Sequence, residues 1–409
     1  MKFVSTMALG LALAFGSAAT MVAVTPAVAK DKAPKPKTVN LSDGVRNALA
    51  AADKAMNAGD FPTATSQIAT ASAAAKTNDE KFFVGQYKIN LGTKSNNPQL
   101  QAEGVDEALA SGGVPAEDLG KFYFFQGQFA YQAKNYAKAE QAFTLSQQNN
   151  FSDPSLMPLL AEAQYQSGNK PAALATLQKG IAAMKAANQP VPAEWFGRAV
   201  AMAYDAKLGP QATDLTQQWV AAYPTKSNWR DSLVIYRELN SPDADTQLDL
   251  MRLMRATGSL TGQADYMEYA QATYLKYPGE AKAVLDEGIA AGALQASNQN
   301  VKEMLGIVSG KIQADKASLA GAKNAASGRA ALLTGDAFLG YKDYASAIEL
   351  YKQALAKGGV DANVVNTRLA YAYAYAGQKD AAKQALAQIT GPRANLAKYI
   401  SVWVDQKTA

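Results

Sequence analysis

The chain of 409 residues contains no cysteine and no histidine. The first absence excludes disulfides, thiol catalysis, thiolate metal sites and lipid attachment through an N-terminal Cys. The second removes imidazole as general base, proton shuttle or metal ligand, and with it the Ser-His-Asp, Cys-His and His-rich zinc constellations. Phosphate-cradling loops are missing too, because "GKFYFFQGQ" and "SGNKPAA" hold Gly and Lys at the wrong spacing. No stretch alternates Val, Ile and Thr as a strand would. The formal charge of +5 is not gathered into a basic stripe with interleaved aromatics, so no nucleic-acid partner is expected.

Carboxylates are what remains for acid-base chemistry. Glu117 and Asp118 follow Pro115, and Asp243, Asp245 and Asp249 follow Pro242. Acidic residues beside a proline suit the start of a helix, where the dipole favours them. "DADTQLDL" also lacks the glycine and terminal glutamate of a calcium loop. No catalytic residue, cofactor or metal is therefore expected. Arg252 and Arg255, three apart in "LMRLMRATG", offer a place for an anionic partner, but a solvated helix face explains them better. Trp195, Trp219, Trp229 and Trp403 suit core packing better than an interface.

The chain opens with the three parts of a secretory signal: Lys2, an apolar segment from Phe3 to about Phe15, and the small pair Ala27 and Ala29 around Val28. Gly10, Gly16, Ser17 and Thr20 interrupt the apolar run short of the roughly 20 residues a membrane span needs. Residues 1–29 are expected to be cleaved, leaving no transmembrane anchor and a protein placed in the bacterial periplasm, peripheral to the envelope. "KDKAPKPKT" at 30–40 is a solvated Lys/Pro linker.

Internal periodicity organises the rest. From Gly127, Ala139 and Phe143 lie 12 and 16 residues on, and the same offsets join Ala52 to Ala64 and Ile68, Ala161 to Ala173 and Leu177, Gly335 to Ala347 and Tyr351, and Ala370 to Ala382 and Leu386. Ala139 to Ala173 spans 34 residues and Ala347 to Ala382 spans 35. Small residues at one level of two antiparallel helices permit close approach, and the large residue beyond fills the adjoining hole. "YAYAYAG" alternates like a strand but falls where a first helix is due; as a helix it turns Tyr373 to the core and Tyr371 and Tyr375 to the surface or groove.

"TGDAFLGYKDYASAIELYKQALAKG", 334–358, resembles a tetratricopeptide repeat through Gly335, Ala337, Phe338, Asp343, Tyr344, Ala347, Tyr351 and Ala354. "QGQFAYQAKNYAKAEQAF" departs from the pattern with Lys134 where Gly is favoured, while Gly168 and Gly377 restore it elsewhere. The resemblance implies an all-α, tetratricopeptide-type α-solenoid: an N-terminal array over 41–228, a degenerate helical middle over 229–300 where the alanine rule fails, and C-terminal repeats over 301–409. Within the last, 300–338 reads as one long helix or a pair broken near Gly310 or Gly321.

The resemblance further implies that first helices line an inner groove for protein or peptide partners. Its groove positions fall on Lys121, Phe124, Gln128, Tyr131 and Gln132, then Glu162, Tyr165 and Gln166, with Tyr204 in a weaker unit. The function expected is a non-catalytic scaffold binding an envelope protein or peptide. The alternative is a superhelical enzyme, or its accessory subunit, acting on peptidoglycan or polysaccharide. Ile400, Val402, Trp403 and Val404 near the end either cap the last hairpin or mediate homo-oligomer contact.

Overall fold

The computed structural model describes residues 41–319, 322 and 324–407, so the signal and linker expectations lie outside the described residues. The described chain is all helix, in two compact units that divide between Thr176 and Leu177. The first holds α1 (Asp43–Asn57), α2 (Phe61–Ala74), α3 (Asn78–Lys94), α4 (Pro98–Ala110), α5 (Ala116–Gln132), α6 (Tyr136–Gln148) and α7 (Leu156–Gln166). The division falls inside α8 (Lys170–Ala186).

One local device recurs along both units. Chain reversal ends on a residue with positive φ, such as Gly59, Lys134, Gly168, Lys342 or Gly377. The next helix then starts, and its first intrahelical bond runs to an alanine four residues past the cap: Ala64 to Asp60, Ala139 to Asn135, Ala212 to Leu208, Ala281 to Tyr277, Ala347 to Asp343, Ala382 to Gln378. Each of these alanines is fully buried. Asp60, Asn135 and Asp343 accept from the backbone N–H three residues on, which satisfies a helix-end donor. The 16-residue offset has a cause as well, because a Cβ on Gly127 would stand 2.5 Å from the Phe143 ring, and one on Gly335 2.7 Å from Tyr351.

In the first unit the hairpins stack in sequence, α1 with α2, α3 with α4 and α5 with α6, each second helix also meeting the next first helix. The α3–α4 hairpin does without the alanine: a Cβ on Gly85 would lie 2.8 Å from the Ala108 nitrogen, and one on Gly92 2.7 Å from the Gln101 nitrogen. Glycine there permits the approach that alanine permits in its neighbours.

The second unit holds α9 (Ala193–Asp205), α10 (Gly209–Ala222), α11 (Lys226–Asn240), α12 (Ala244–Ala256), α13 (Gly262–Thr273), α14 (Pro278–Ala290), α15 (Gln299–Leu319), α16 (Gly328–Gly340), α17 (Tyr344–Lys357), α18 (Ala362–Tyr375), α19 (Lys379–Ala387) and α20 (Ala394–Gln406). Thus the limits drawn at 228/229 and 300/301 fall within α11 and α15. The middle is regular helix. Its alanine rule fails because Tyr269, rather than a small residue, stands 12 residues before Ala281 and gives its hydroxyl to Glu280 Oε1 at 2.6 Å. The stretch from 300 begins as one helix that runs unbroken through Gly310; Gly321 lies outside the described residues.

This unit does not stay an open stack. α20 packs on α10 and α12, α18 packs on α12, and α16 packs on α14, so the last hairpins fold back on the middle ones. Tyr399 of α20 is buried, 2.5 Å from Thr216 of α10, and its ring meets Tyr236 and Trp229. Ile400, Trp403 and Val404 are buried in this closure, so they cap the chain's own array. No helix among the described residues is long and apolar enough to cross a membrane.

Candidate functional site

In the first unit, Lys121, Gln128 and Gln132 recur on one face of α5, and Tyr131 lies beside them. Lys121, Gln128 and Tyr131 are half-buried and Gln132 is exposed. Gln128 Oε1 is buried without a hydrogen-bond partner. Tyr131 packs edge-on to Tyr136 at 5.4 Å between ring centres. On α7, Gln166 donates to Glu162 at 2.7 Å, and Lys170 Nζ sits 5.2 Å over the Tyr165 ring. α5 and α7 touch, which sets these two first helices side by side. Phe124 is the exception to the expected groove. It is buried, with ring centres of Phe151 and Phe143 at 4.9 and 5.9 Å, because its position on α5 turns toward the hairpin core. Tyr204 belongs to the second unit, where it is 39% exposed and donates to Glu238 at 2.6 Å.

The second unit is organised around buried charge. Arg252 of α12 grips Glu280 of α14 through Nε and Nη2, both at 2.8 Å, and reaches Asp249 at 2.9 Å. Arg368 of α18 donates to Asp336 of α16 at 2.6 Å and to Asp245 at 2.6 Å. Arg393 donates to Asp249 at 2.7 Å. Tyr277 and Tyr351 each give a hydroxyl to Asp336 at 2.8 Å, and Tyr371 gives its own to the Asp249 carbonyl at 2.8 Å. Asp249 and Asp336 have no exposed surface, and Arg368 keeps only 2%. Burial pushes the Asp249 carboxyl up, but Arg368, Arg252 and Arg393 together hold it below the usual range. Glu280 is likewise raised by burial and then drawn below its ordinary value by Arg252 and Tyr269. For Asp336 burial prevails over Arg368 and Arg252, and the carboxyl is raised.

This corrects several expectations. Arg252 is not on a solvated face but buried; Asp243 caps α12, accepting from Thr246, and Asp245 lies in its first turn, as expected of a helix start, while Asp249 is buried a turn further on. Tyr371 is fully buried, whereas Tyr373 is only half-buried. Trp195, Trp229 and Trp403 are core residues, as expected, and Trp219 is half-buried. Arg368 and Asp336 escaped notice, although each is a lone charge in an apolar helical run, "NVVNTRLAYAYAY" and "LLTGDAFLG". Such a charge is rarely buried unless paired.

Counting from Ala370 as from Gly127, the positions of Gln128 and Gln132 on α5 correspond to Tyr371 and Tyr375 on α18. On α18 this face is covered by α12 of the same chain. What stays open beside it is a cavity of about 270 Å³. Arg255, Glu287, Lys342, Tyr344 and Tyr375 line it together with the Arg252–Glu280 pair. Arg255 holds Glu287 through Nε and Nη2 at 2.8 and 2.6 Å. The Tyr344 and Tyr375 rings stack at 5.2 Å and 15°.

The hairpins, with their buried alanines and capped reversals, define a helical-repeat protein of tetratricopeptide type. No protein-family model matches the chain, and neither does any curated protein. Among solved structures it is similar to a tetratricopeptide repeat protein from Parabacteroides merdae, at 10% identity and a TM-score of 0.32 over 81% of this chain and 99% of that one. It is also similar to the TPR2AB domain of yeast Sti1 in a complex with pHSP90 (14% identity, TM-score 0.27, 71% and 99% covered). A third is the C-terminal part of a TPR repeat-containing protein from Cytophaga hutchinsonii (12%, 0.28, 79% and 98%). At these distances no residue of theirs is carried onto this chain.

Proposed function

We propose that the protein is a non-catalytic helical-repeat scaffold of the bacterial cell envelope, and that it holds a segment of a partner protein along α5 and α7. One observation carries this reading: Gln132 and Gln166 are exposed on α5 and α7, whereas Tyr371 of α18, at the position of Gln128, is fully buried against the chain's own α12. Amide, tyrosine and mixed-charge side chains there match the backbone and side chains of an extended segment better than a small apolar ligand. Export rests on the signal-like residues 1–29.

The enzymatic alternative needs an accessible carboxylate with a proton to give. Glu280 borders the cavity but is held ionised by Arg252 and Tyr269, and Asp336 is sealed beneath two tyrosines. The scaffold reading is tested by photo-crosslinking from Gln132 or Gln166 in cells, with exposed Gln141 of α6 as the outer-face control. A shared adduct from the two inner positions, lost in the folded Tyr131→Ala/Tyr165→Ala variant, is expected. Equal adducts from Gln141 would refute the groove.

A further inference from the structure

The cavity of the second unit has a surplus of hydrogen-bond donors. Both oxygens of Glu280 are taken, by Arg252 and Tyr269, and both oxygens of Glu287 are taken by Arg255. Tyr371 spends its hydroxyl on the Asp249 carbonyl. Lys342, in contrast, makes no side-chain hydrogen bond or ion pair among the described residues, although it lines the cavity. Nor do the hydroxyls of Tyr344 and Tyr375, or Nη1 of Arg255, find a partner there. Unmade donors at a concave surface call for an acceptor-rich occupant.

Charge narrows the class. Arg252 is paired with Glu280 and Asp249 and Arg255 with Glu287, whereas Lys342, exposed at the rim, has no carboxylate partner among the described residues and is left as one unpaired positive charge. A monoanion neutralises it, whereas a dianion would leave negative charge in a partly desolvated place. The volume, about 270 Å³, is just under the roughly 300–1,000 Å³ of pockets for drug-sized ligands. Tyr344 and Tyr375 stack on each other, and Trp403 and Lys407 pack on Tyr375, so this wall offers ring edges and hydroxyls, which suit the polar rim of a small ring.

We propose that this cavity binds a small monocarboxylate with a polar ring, of the size and kind of a single sugar acid, its carboxylate paired with Lys342 and Arg255 and its ring against Tyr344 and Tyr375. The site is independent of the α5–α7 face, so either can fail without the other. It uses no residue whose bonds hold the buried charge network together, apart from the Arg252–Glu280 pair that forms its floor.

The test is calorimetric titration of the full chain with D-glucuronate, D-glucose and inorganic phosphate. Glucuronate is expected to bind one to one, with glucose at least about tenfold weaker because it lacks the charge. Lys342→Asn, which keeps a residue tolerant of the +64° φ at that position, should weaken glucuronate about tenfold or more. Tyr344→Phe should weaken it severalfold, and both variants should keep the wild-type melting temperature. The proposal is overturned by no glucuronate binding up to about 10 mM, by affinity that neither substitution changes, or by phosphate binding as tightly as glucuronate.

Discussion

Asp249 lies where three guanidinium groups converge, those of Arg252, Arg368 and Arg393. Deleting it leaves three buried cations sharing fewer anions, and breaking a buried pair in this way costs about 3–5 kcal/mol. Asp249→Ala should therefore lower the unfolding free energy of the second unit, read from its urea midpoint and slope, by that amount while leaving the first unit unmoved. The sign of its pH dependence follows from the depressed folded-state pKa of Asp249 and Glu280. Their ionised forms stabilise the fold above the unfolded carboxylate values of 3.8 and 4.5, and that contribution is lost as pH falls through the lower folded values. Asp336 works the other way: its pKa is raised in the fold, so its ionisation costs stability as pH rises from 3.8 through the folded value. Between about pH 6 and pH 3, wild type should lose more stability than Asp249→Asn, which lacks one of the acid-sensitive groups. Little of this was legible locally: only the Asp249–Arg252 pair is close in sequence, and the other partners of Asp249 lie 119 and 144 positions away.

At the scale of the element, the reversals and close helix contacts decide stability. Lys134 holds φ at +60°, the conformation that Gly168 and Gly377 adopt freely at equivalent reversals. Left-handed backbone costs an L-residue roughly 1–2 kcal/mol, offset in part by the roughly 0.5–1 kcal/mol of extra freedom a glycine loses on folding. Lys134→Gly is thus expected to stabilise the first unit by about 0.5–1 kcal/mol, read as a higher denaturation midpoint at unchanged slope. Gly85→Ala should act in the opposite sense, because its Cβ would meet backbone of α4 at 2.8 Å, and overpacking of this kind costs about 1–3 kcal/mol. These elements were the readable part of the chain. A small residue, an alanine 12 later and a large residue 16 later are set by contacts inside one hairpin, so the signal survives in a single sequence. In the middle, a further unit was legible at 276–292, but the register of its first helix was not, because Tyr269 stands in place of the small residue and bonds Glu280, which spacing alone does not announce.

On the scale of the whole chain the two units differ in how far apart in sequence their contacts lie. The first unit is built from neighbouring hairpins, whereas the second ties residues as distant as Thr213 and Tyr399. Removing α20 by ending the chain at Thr390 takes away Arg393, Tyr399 and Trp403, and with them the cover of α10 and α12. The truncated second unit should lose its sharp thermal transition and gain hydrogen exchange in α12, while exchange in α1–α6 is unchanged. Retained protection in α12 would mean that closure is not what stabilises it. Among the α5 positions drawn from the repeat register, Phe124 is buried against Phe151, which lies beyond the hairpin and outside the reach of that register.

The closure of the second unit also governs how freely its sequence can drift. The same formal repeat position carries half-buried Gln128 on α5 and fully buried Tyr371 on α18. A scan of all substitutions should find the first position permissive for folding and the second close to invariant. Two copies of one ancestral motif would then evolve at different speeds, the slow one confined by its own chain and the fast one left free to follow a partner.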